Sequence, residues 1–236
     1  MNIVKKFHKA CADYRLIEDG DHILIGLSGG KDSLALTELL GKRAQIYKPR
    51  FKVTALHVRV KERDYATDIG YLQSFCDEHK VPLVVRDVEI VGGDSNETNP
   101  CFLCSWYRRK ALFDAAQKLG CNKIALGHHR DDLIETLLMN LIFQGAVATM
   151  PPILQMDKMP LQIIRPLCLI DEADLIAYAK EKGYHKQAKL CPFEHVSSRE
   201  KVKGLLTQIK ALNPEAADTI FAAMTNIKTD YLPIKK

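Results

Sequence analysis

No run of about 18 uninterrupted apolar residues occurs in the 236-residue sequence, so no membrane-spanning helix is expected. Residues 1–20 carry charges throughout and hold no apolar signal-peptide core, which leads to the expectation of a soluble, cytoplasmic protein without a membrane partner. Internal repeats and low-complexity tracts are missing. With 47% hydrophobic residues the chain can build a packed core, and disorder is not its default state. The seven cysteines are an odd number without an export signal, which argues against a disulfide framework. A Walker A loop is also missing. Gly26 and Gly30 enclose three residues rather than four, and Asp32 follows Lys31 where Ser or Thr is required. The glycine spacing fails the Rossmann fingerprint as well.

What is present is alternation. Apolar runs at 22–28, 51–60, 82–90, 123–128 and 161–167 read as strands, and helical patterns fall between them at 31–47, 64–80, 101–119 and 130–143. A helix over residues 1–18 precedes them and one over 171–183 follows, with helical pattern beyond it. This order predicts an α/β fold, a doubly wound parallel sheet with right-handed crossovers and a helical C-terminal region. Residues 1–183 are expected to form the α/β domain, and 184–236 a helical extension packed on it. Ligands of such sheets bind beyond the carboxyl ends of the strands. Four segments fall there: Ser28–Ser33, then His57 and Arg59, then the 91–104 loop, then 127–132 with the sequence GHHRDD.

The first segment, Ser28-Gly29-Gly30-Lys31-Asp32-Ser33, joins a strand to a helix. Gly29 and Gly30 allow a tight turn and close approach to an anion. Amide N–H groups at a helix start favour negative charge, and Lys31 adds a point charge. Ser28 and Ser33 can donate hydroxyl hydrogen bonds, and Asp32 can orient donors or help hold Mg²⁺ through water.

Cys101 and Cys104 have C-x-x-C spacing at a helix start, where two thiolates can meet one metal centre and the macrodipole lowers thiol pKa. A second C-x-x-C is absent, and Cys191 is the one further cysteine in a clear break. Three cysteines without a fourth admit an iron–sulfur cluster with one open iron, a zinc site, or unligated thiols. Cys11, Cys76, Cys121 and Cys168 lie in apolar or helical patterns and read as small core residues. Arg108, Arg109 and Lys110 with Trp106 and Tyr107 form a basic, aromatic cluster of the kind that binds phosphate backbones and stacks bases. A net charge of +5 suits a nucleic-acid partner.

The loop at 28–33 resembles the PP-loop of N-type ATP pyrophosphatases. Together with the C-x-x-C, the 127–138 segment GHHRDDLIETLL, the 145–152 segment GAVATMPP and Ile164-Arg165-Pro166-Leu167, it resembles the tRNA-cytidine(32) 2-sulfurtransferases over roughly residues 5–230. That resemblance implies an adenine nucleotide alpha hydrolase-like fold. It implies ATP held at Ser28, Gly29, Gly30, Lys31, Asp32, Ser33, Gly127 and His128, with Mg²⁺. It implies a [4Fe-4S] cluster on Cys101, Cys104 and Cys191, and catalytic roles for Lys31, Arg108 and Asp131. The implied reaction adenylates the cytidine C2 oxygen of a tRNA and then transfers sulfur to give 2-thiocytidine. The implied partners are tRNA and a sulfur donor such as a cysteine desulfurase, and a homodimer is consistent with the family. The sequence departs from the family at Glu194, which stands where a second C-x-x-C would end. Three rival readings are a 2-thiouridine synthase, a lysidine synthetase, and a metal-containing RNA-binding module without catalysis.

Overall fold

The computed structural model describes residues 2–61, 67–90, 100–185 and 198–233. The described residues of 1–129 and 151–194 make one compact unit, and those of 130–150 and 195–236 a second.

The first unit is built on a six-stranded sheet of order β3-β2-β1-β4-β6-β5. Its strands are β1 (His22–Gly26), β2 (Lys52–Val60), β3 (Leu83–Val88), β4 (Lys123–Ala125), β5 (Ile153–Gln155) and β6 (Gln162–Ile164). All neighbours pair in parallel except β5 and β6, which form an antiparallel pair at one edge. The parallel, doubly wound expectation therefore holds for five strands and needs β5 added. Three residues after Pro151-Pro152 carry too little alternation to mark a strand, and Ile153 finds its place only by pairing with Ile164.

The chain steps from β1 outward to β2 and β3, then returns to place β4 on the other side of β1. The reversal between β1 and β4 is a topological switch point, where such sheets open a crevice. Helices α1 (Ile3–Asp13), α2 (Lys31–Ala44), α3 (Ile69–Glu78), α4 (Pro100–Leu119) and α6 (Glu172–Glu181) complete this unit. Leu24, Leu56 and Ile124 point from adjacent strands into one cluster with Ala111, Ala115 and Ala116 of α4. Alanines at these positions let the helix lie close to the sheet. Leu34, Leu36 and Leu40 of α2 are fully buried.

One buried charge lies on α2. Glu38 is 2% exposed. Its carboxylate accepts hydrogen bonds from Lys42, from Tyr184 and, at 2.8 Å, from Tyr178 of α6. Burial alone would raise its pKa, but the bonds from Lys42, Tyr184 and Tyr178 outweigh burial and hold it below the usual glutamate range. Burial and the same carboxylate push both tyrosine hydroxyls up.

The second unit contains α5 (Arg130–Gln144), α7 (Ser198–Leu212) and α8 (Ala216–Ala223). Ile134, Leu206 and Ala217, one from each helix, form its core with Leu138, Ile220 and Phe221.

Because the folded Glu38 ionises more readily than the unfolded one, its contribution is complete above the ordinary glutamate pKa. It is lost as pH falls through the folded value. Tyr184→Phe removes one bond to this charge and should cost about 2 kcal/mol at neutral pH. It should also reduce the loss of stability on acidification. Urea melts of both proteins across acidic and neutral pH check both effects.

Candidate active site

The glycine loop of residues 28–33 begins where β1 ends. Leu27 is clamped on both sides by β2. Its N–H donates to the Leu56 carbonyl at 2.9 Å, and its own carbonyl is 2.8 Å from His57 Nδ1. His57 is buried, and burial first, then Arg108 and Arg59, lower its pKa against the raising effect of the Leu27 bond. The imidazole is therefore neutral at physiological pH, with Nδ1–H as the donor. It lies inside β2 rather than after it, because the strand continues to Val60. Arg59 also lies within the strand and pairs with Asp87 of β3 at 2.6 and 2.9 Å.

Gly29 has φ +84°, in the left-handed region where a side chain would be strained. Gly30 then caps α2 without a side-chain bond, so the amides of the first turn carry no capping oxygen. The Ser28 hydroxyl donates to Ser33 Oγ at 3.1 Å, and Ser33 Oγ donates to the Gly30 carbonyl at 2.9 Å. These bonds fold the loop back over the helix start. Lys31 Nζ lies 3.1 Å from Asp32 Oδ2 and 3.3 Å from Glu172 Oε1, at the start of α6. The other oxygen, Asp32 Oδ1, is buried with no hydrogen-bond partner. A carboxylate oxygen in that position suits a cation or a ligand's donor.

Gly127 follows β4 across the switch point. A Cβ there would come within 3.1 Å of the Asp32 carbonyl carbon, 3.2 Å of its oxygen and 3.2 Å of Ser33 N. The backbone after β4 thus packs directly on the first turn of α2. His128 is half-buried beside it, and His129 is buried.

Helix α4 carries the C-x-x-C in its first turns, with no acidic residue in the first turn. Helical spacing puts positions 101, 104 and 108 along one stripe, and 102, 106 and 110 along the adjacent one. The second stripe is exposed: Phe102 is 59% and Trp106 46% accessible. Lys110 Nζ lies 5.4 Å from the Trp106 ring centroid, and Trp106 meets Tyr107 edge-on at 4.9 Å. Cys104 is half-buried. Cys191 lies outside the described residues, as does the loop at 91–99. Among the described residues no group of three or more His, Cys, Asp or Glu side chains is placed to hold a metal ion.

Of the other cysteines, Cys76, Cys121 and Cys168 are buried as expected. Cys11 is half-buried and borders a cleft, and burial pushes its thiol pKa up to about 12.

Asp131 belongs to the second unit, at the start of α5. It is 3% exposed and ion-paired with Lys210 of α7. Its neighbour in the same unit, Glu135, faces Arg199 at 3.5 Å. Lys210 and, in the first unit, Glu172 carry no motif in the sequence. Both have specific partners across the fold, and no local sequence signal marks such distant pairs.

The PP-loop domain family matches residues 1–186. A tRNA-cytidine(32) 2-sulfurtransferase from Shewanella sp. (strain W3-18-1) is 39% identical over 222 residues, covering 92% of this chain and 71% of that protein. The protein of the same name from Methylobacillus flagellatus is 34% identical over 235 residues, covering 98% and 77%. Among solved structures, a U34-tRNA thiolase from Methanococcus maripaludis with its [4Fe-4S] cluster superposes with a TM-score of 0.80. It has 24% identity and covers 99% of this chain and 80% of that one.

The clamp on Leu27 and the contact at Gly127 make two predictions. Gly127→Ala should displace the first turn of α2 and weaken ATP binding about tenfold, a change worth ~1.4 kcal/mol. His57→Ala should also weaken ATP binding, and His57→Asn, whose amide can donate to the Leu27 carbonyl, should restore most of it. Equilibrium binding of ATP to the three variants, with melting temperatures as control, checks both.

Proposed function

Because the chain belongs to the tRNA-cytidine(32) 2-sulfurtransferase family of PP-loop proteins, we propose that it thiolates a cytidine of tRNA at the expense of ATP. The observation that carries this reading is the uncapped, glycine-turned start of α2 at the switch point, with Lys31 above it and a buried Asp32 oxygen beside it.

In the proposed reaction the cytidine C2 oxygen attacks the α-phosphorus of ATP. The bond from that phosphorus to the bridging oxygen breaks, and pyrophosphate leaves. A sulfur nucleophile then adds at C2, the C2–O bond breaks, and AMP departs with the oxygen. The loop's part is electrostatic. First-turn amides and Lys31 hold the pyrophosphate unit, and charge that builds on the leaving oxygen is stabilised where they already point. Phosphate oxygens would replace Asp32 and Glu172 as partners of Lys31, and Asp32 would then be the residue that could help hold Mg²⁺. His57 is a positioning residue, since it reaches the loop only through the Leu27 carbonyl.

The target base must leave its stack to react. The exposed Phe102 and Trp106 offer it, or its neighbours, a stacking surface. Arg108, Arg109 and Lys110 supply charge for the backbone. A [4Fe-4S] cluster, when held by Cys101, Cys104 and Cys191, would supply the site from which sulfur is transferred. The helical i, i+3 spacing of the first two and the absence of acidic residues in that turn fit thiolate ligands.

Asp131 is proposed as the acidic group that assists the reaction, acting as a pair with Lys210. The reading also includes a sulfur donor such as a cysteine desulfurase, a cytoplasmic setting and a homodimer. Exposed Leu141, Ile142, Phe143 and Val147 in the second unit are apolar surface that a second copy would cover.

Lys31→Ala should abolish tRNA-dependent AMP formation while leaving iron content unchanged. Cys104→Ala should do the reverse to the metal, removing iron and acid-labile sulfide while ATP still binds. Trp106→Ala should weaken tRNA binding about tenfold, within the range of one lost stacking contact. Full iron in the Cys104→Ala protein would remove the cluster from the account.

A further inference from the structure

A second charged cleft lies toward the amino ends of the strands, away from the loop at 28–33. Helix α2 runs back along the sheet after β1, so its last turn, with Arg43, reaches the end of the sheet where β1 begins. There His8, Cys11, Arg15, Glu18, Arg43 and Pro49 line a cleft of about 440 Å³. All belong to the sheet-bearing unit.

The lining is unbalanced in charge. Two arginines face one carboxylate, with the imidazole of His8 beside them as a further hydrogen-bonding group. That carboxylate, Glu18, is drawn toward Lys123, 3.4 Å away. Arg43 Nη1 is buried and has no hydrogen-bond partner. A guanidinium N–H without an acceptor inside a cleft is costly, and an anion would satisfy it. The positive field of Arg43 reaches His8, whose pKa is lowered by burial first and by Arg43 second.

Arg15 adds an independent observation. It has φ +50°, the left-handed conformation after the C-terminus of α1 where glycine is the favoured residue. Its N–H donates to the Ala12 carbonyl at 3.3 Å, and that of Leu16 to Cys11 at 3.0 Å, closing the helix as a glycine would. An arginine tolerates this strain here while its side chain lines the cleft. The wall it stands on is tied to the sheet. Lys123, 1% exposed, donates to the Leu16 carbonyl at 3.2 Å and pairs with buried Asp21 at 2.8 Å.

We infer that this cleft is a second phosphate-binding site, in which Arg43, Arg15 and His8 take the oxygens of a phosphate group. Two arginines and an imidazole around one cavity match a tetrahedral oxyanion, and the bidentate geometry of guanidinium favours phosphate. The inference does not depend on the chemistry proposed for the loop.

Inorganic phosphate is the probe, and the His8 imidazole signals, identified by their loss in His8→Gln, are the readout. In the wild-type protein and in Lys31→Ala these signals should shift with phosphate in a saturable way. In Arg43→Gln and in Arg15→Gly the shift should disappear. Arg15→Gly should at the same time raise the melting temperature, since glycine relieves the left-handed backbone, so loss of the shift there cannot be misfolding. A wild-type protein without a saturable shift, or the same shift in both arginine variants, overturns the site. Titration with tRNA identifies the source of the phosphate. A roughly threefold weaker affinity for Arg15→Gly, with a salt dependence shallower by about one charge, assigns the site to the RNA backbone. Unchanged tRNA affinity with a lost phosphate shift assigns it to a small phosphate-bearing molecule.

Discussion

The contact between the Gly127 backbone and the first turn of α2 is the constraint on which the site depends. It joins the two strands that flank the switch point, and a methyl group there would press to 3.1–3.2 Å on the backbone of Asp32 and Ser33. The loop after β1 can cradle an anion only if the helix behind it stays in register with the sheet. That register is fixed along the length of α2: at its start by Gly127 and by the clamp on Leu27, and midway by Glu38, bonded to Tyr178 of α6 and to Tyr184 just beyond it. The 28–33 loop itself makes few bonds, and the first-turn amides of α2 carry no capping oxygen. Stability is supplied one or two turns away.

Charge is arranged on the same principle. Lys31 is not bare in the ligand-free chain; Asp32 and Glu172 hold it between them. These are half-exposed contacts of low cost to break, so a phosphate can displace them. Glu38, by contrast, is buried and fully bonded, and its loss would be felt by the whole unit. One helix thus carries a weakly held charge at the ligand end and a tightly held one in its middle.

Much of this was legible in the sequence because it is local. The glycine turn at 28–33, the alternation of apolar runs, and the i, i+3 spacing of Cys101 and Cys104 are short-range patterns with direct physical meaning. The antiparallel strand at Ile153–Gln155 was not legible, since three residues owe their conformation to β6 rather than to their own pattern. The pairs Lys31–Glu172, Asp131–Lys210 and Glu38–Tyr184 were not legible either. Each joins residues far apart in the chain, and charged side chains on a helix give the same local signal whether they face solvent or a distant partner. His57 was placed near the site by position, but its bond to Leu27 required the sheet register to be known.

The most direct test of the central claim is nucleoside analysis by mass spectrometry of tRNA. The protein, purified without oxygen, is incubated with tRNA lacking the modification, ATP, Mg²⁺ and a sulfide source. The account predicts 2-thiocytidine in the digest, with AMP and pyrophosphate formed in equal amount to it. A thiolated uridine or a lysine-modified cytidine would contradict the substrate assignment. AMP formation with no modified nucleoside would contradict sulfur transfer as the second step.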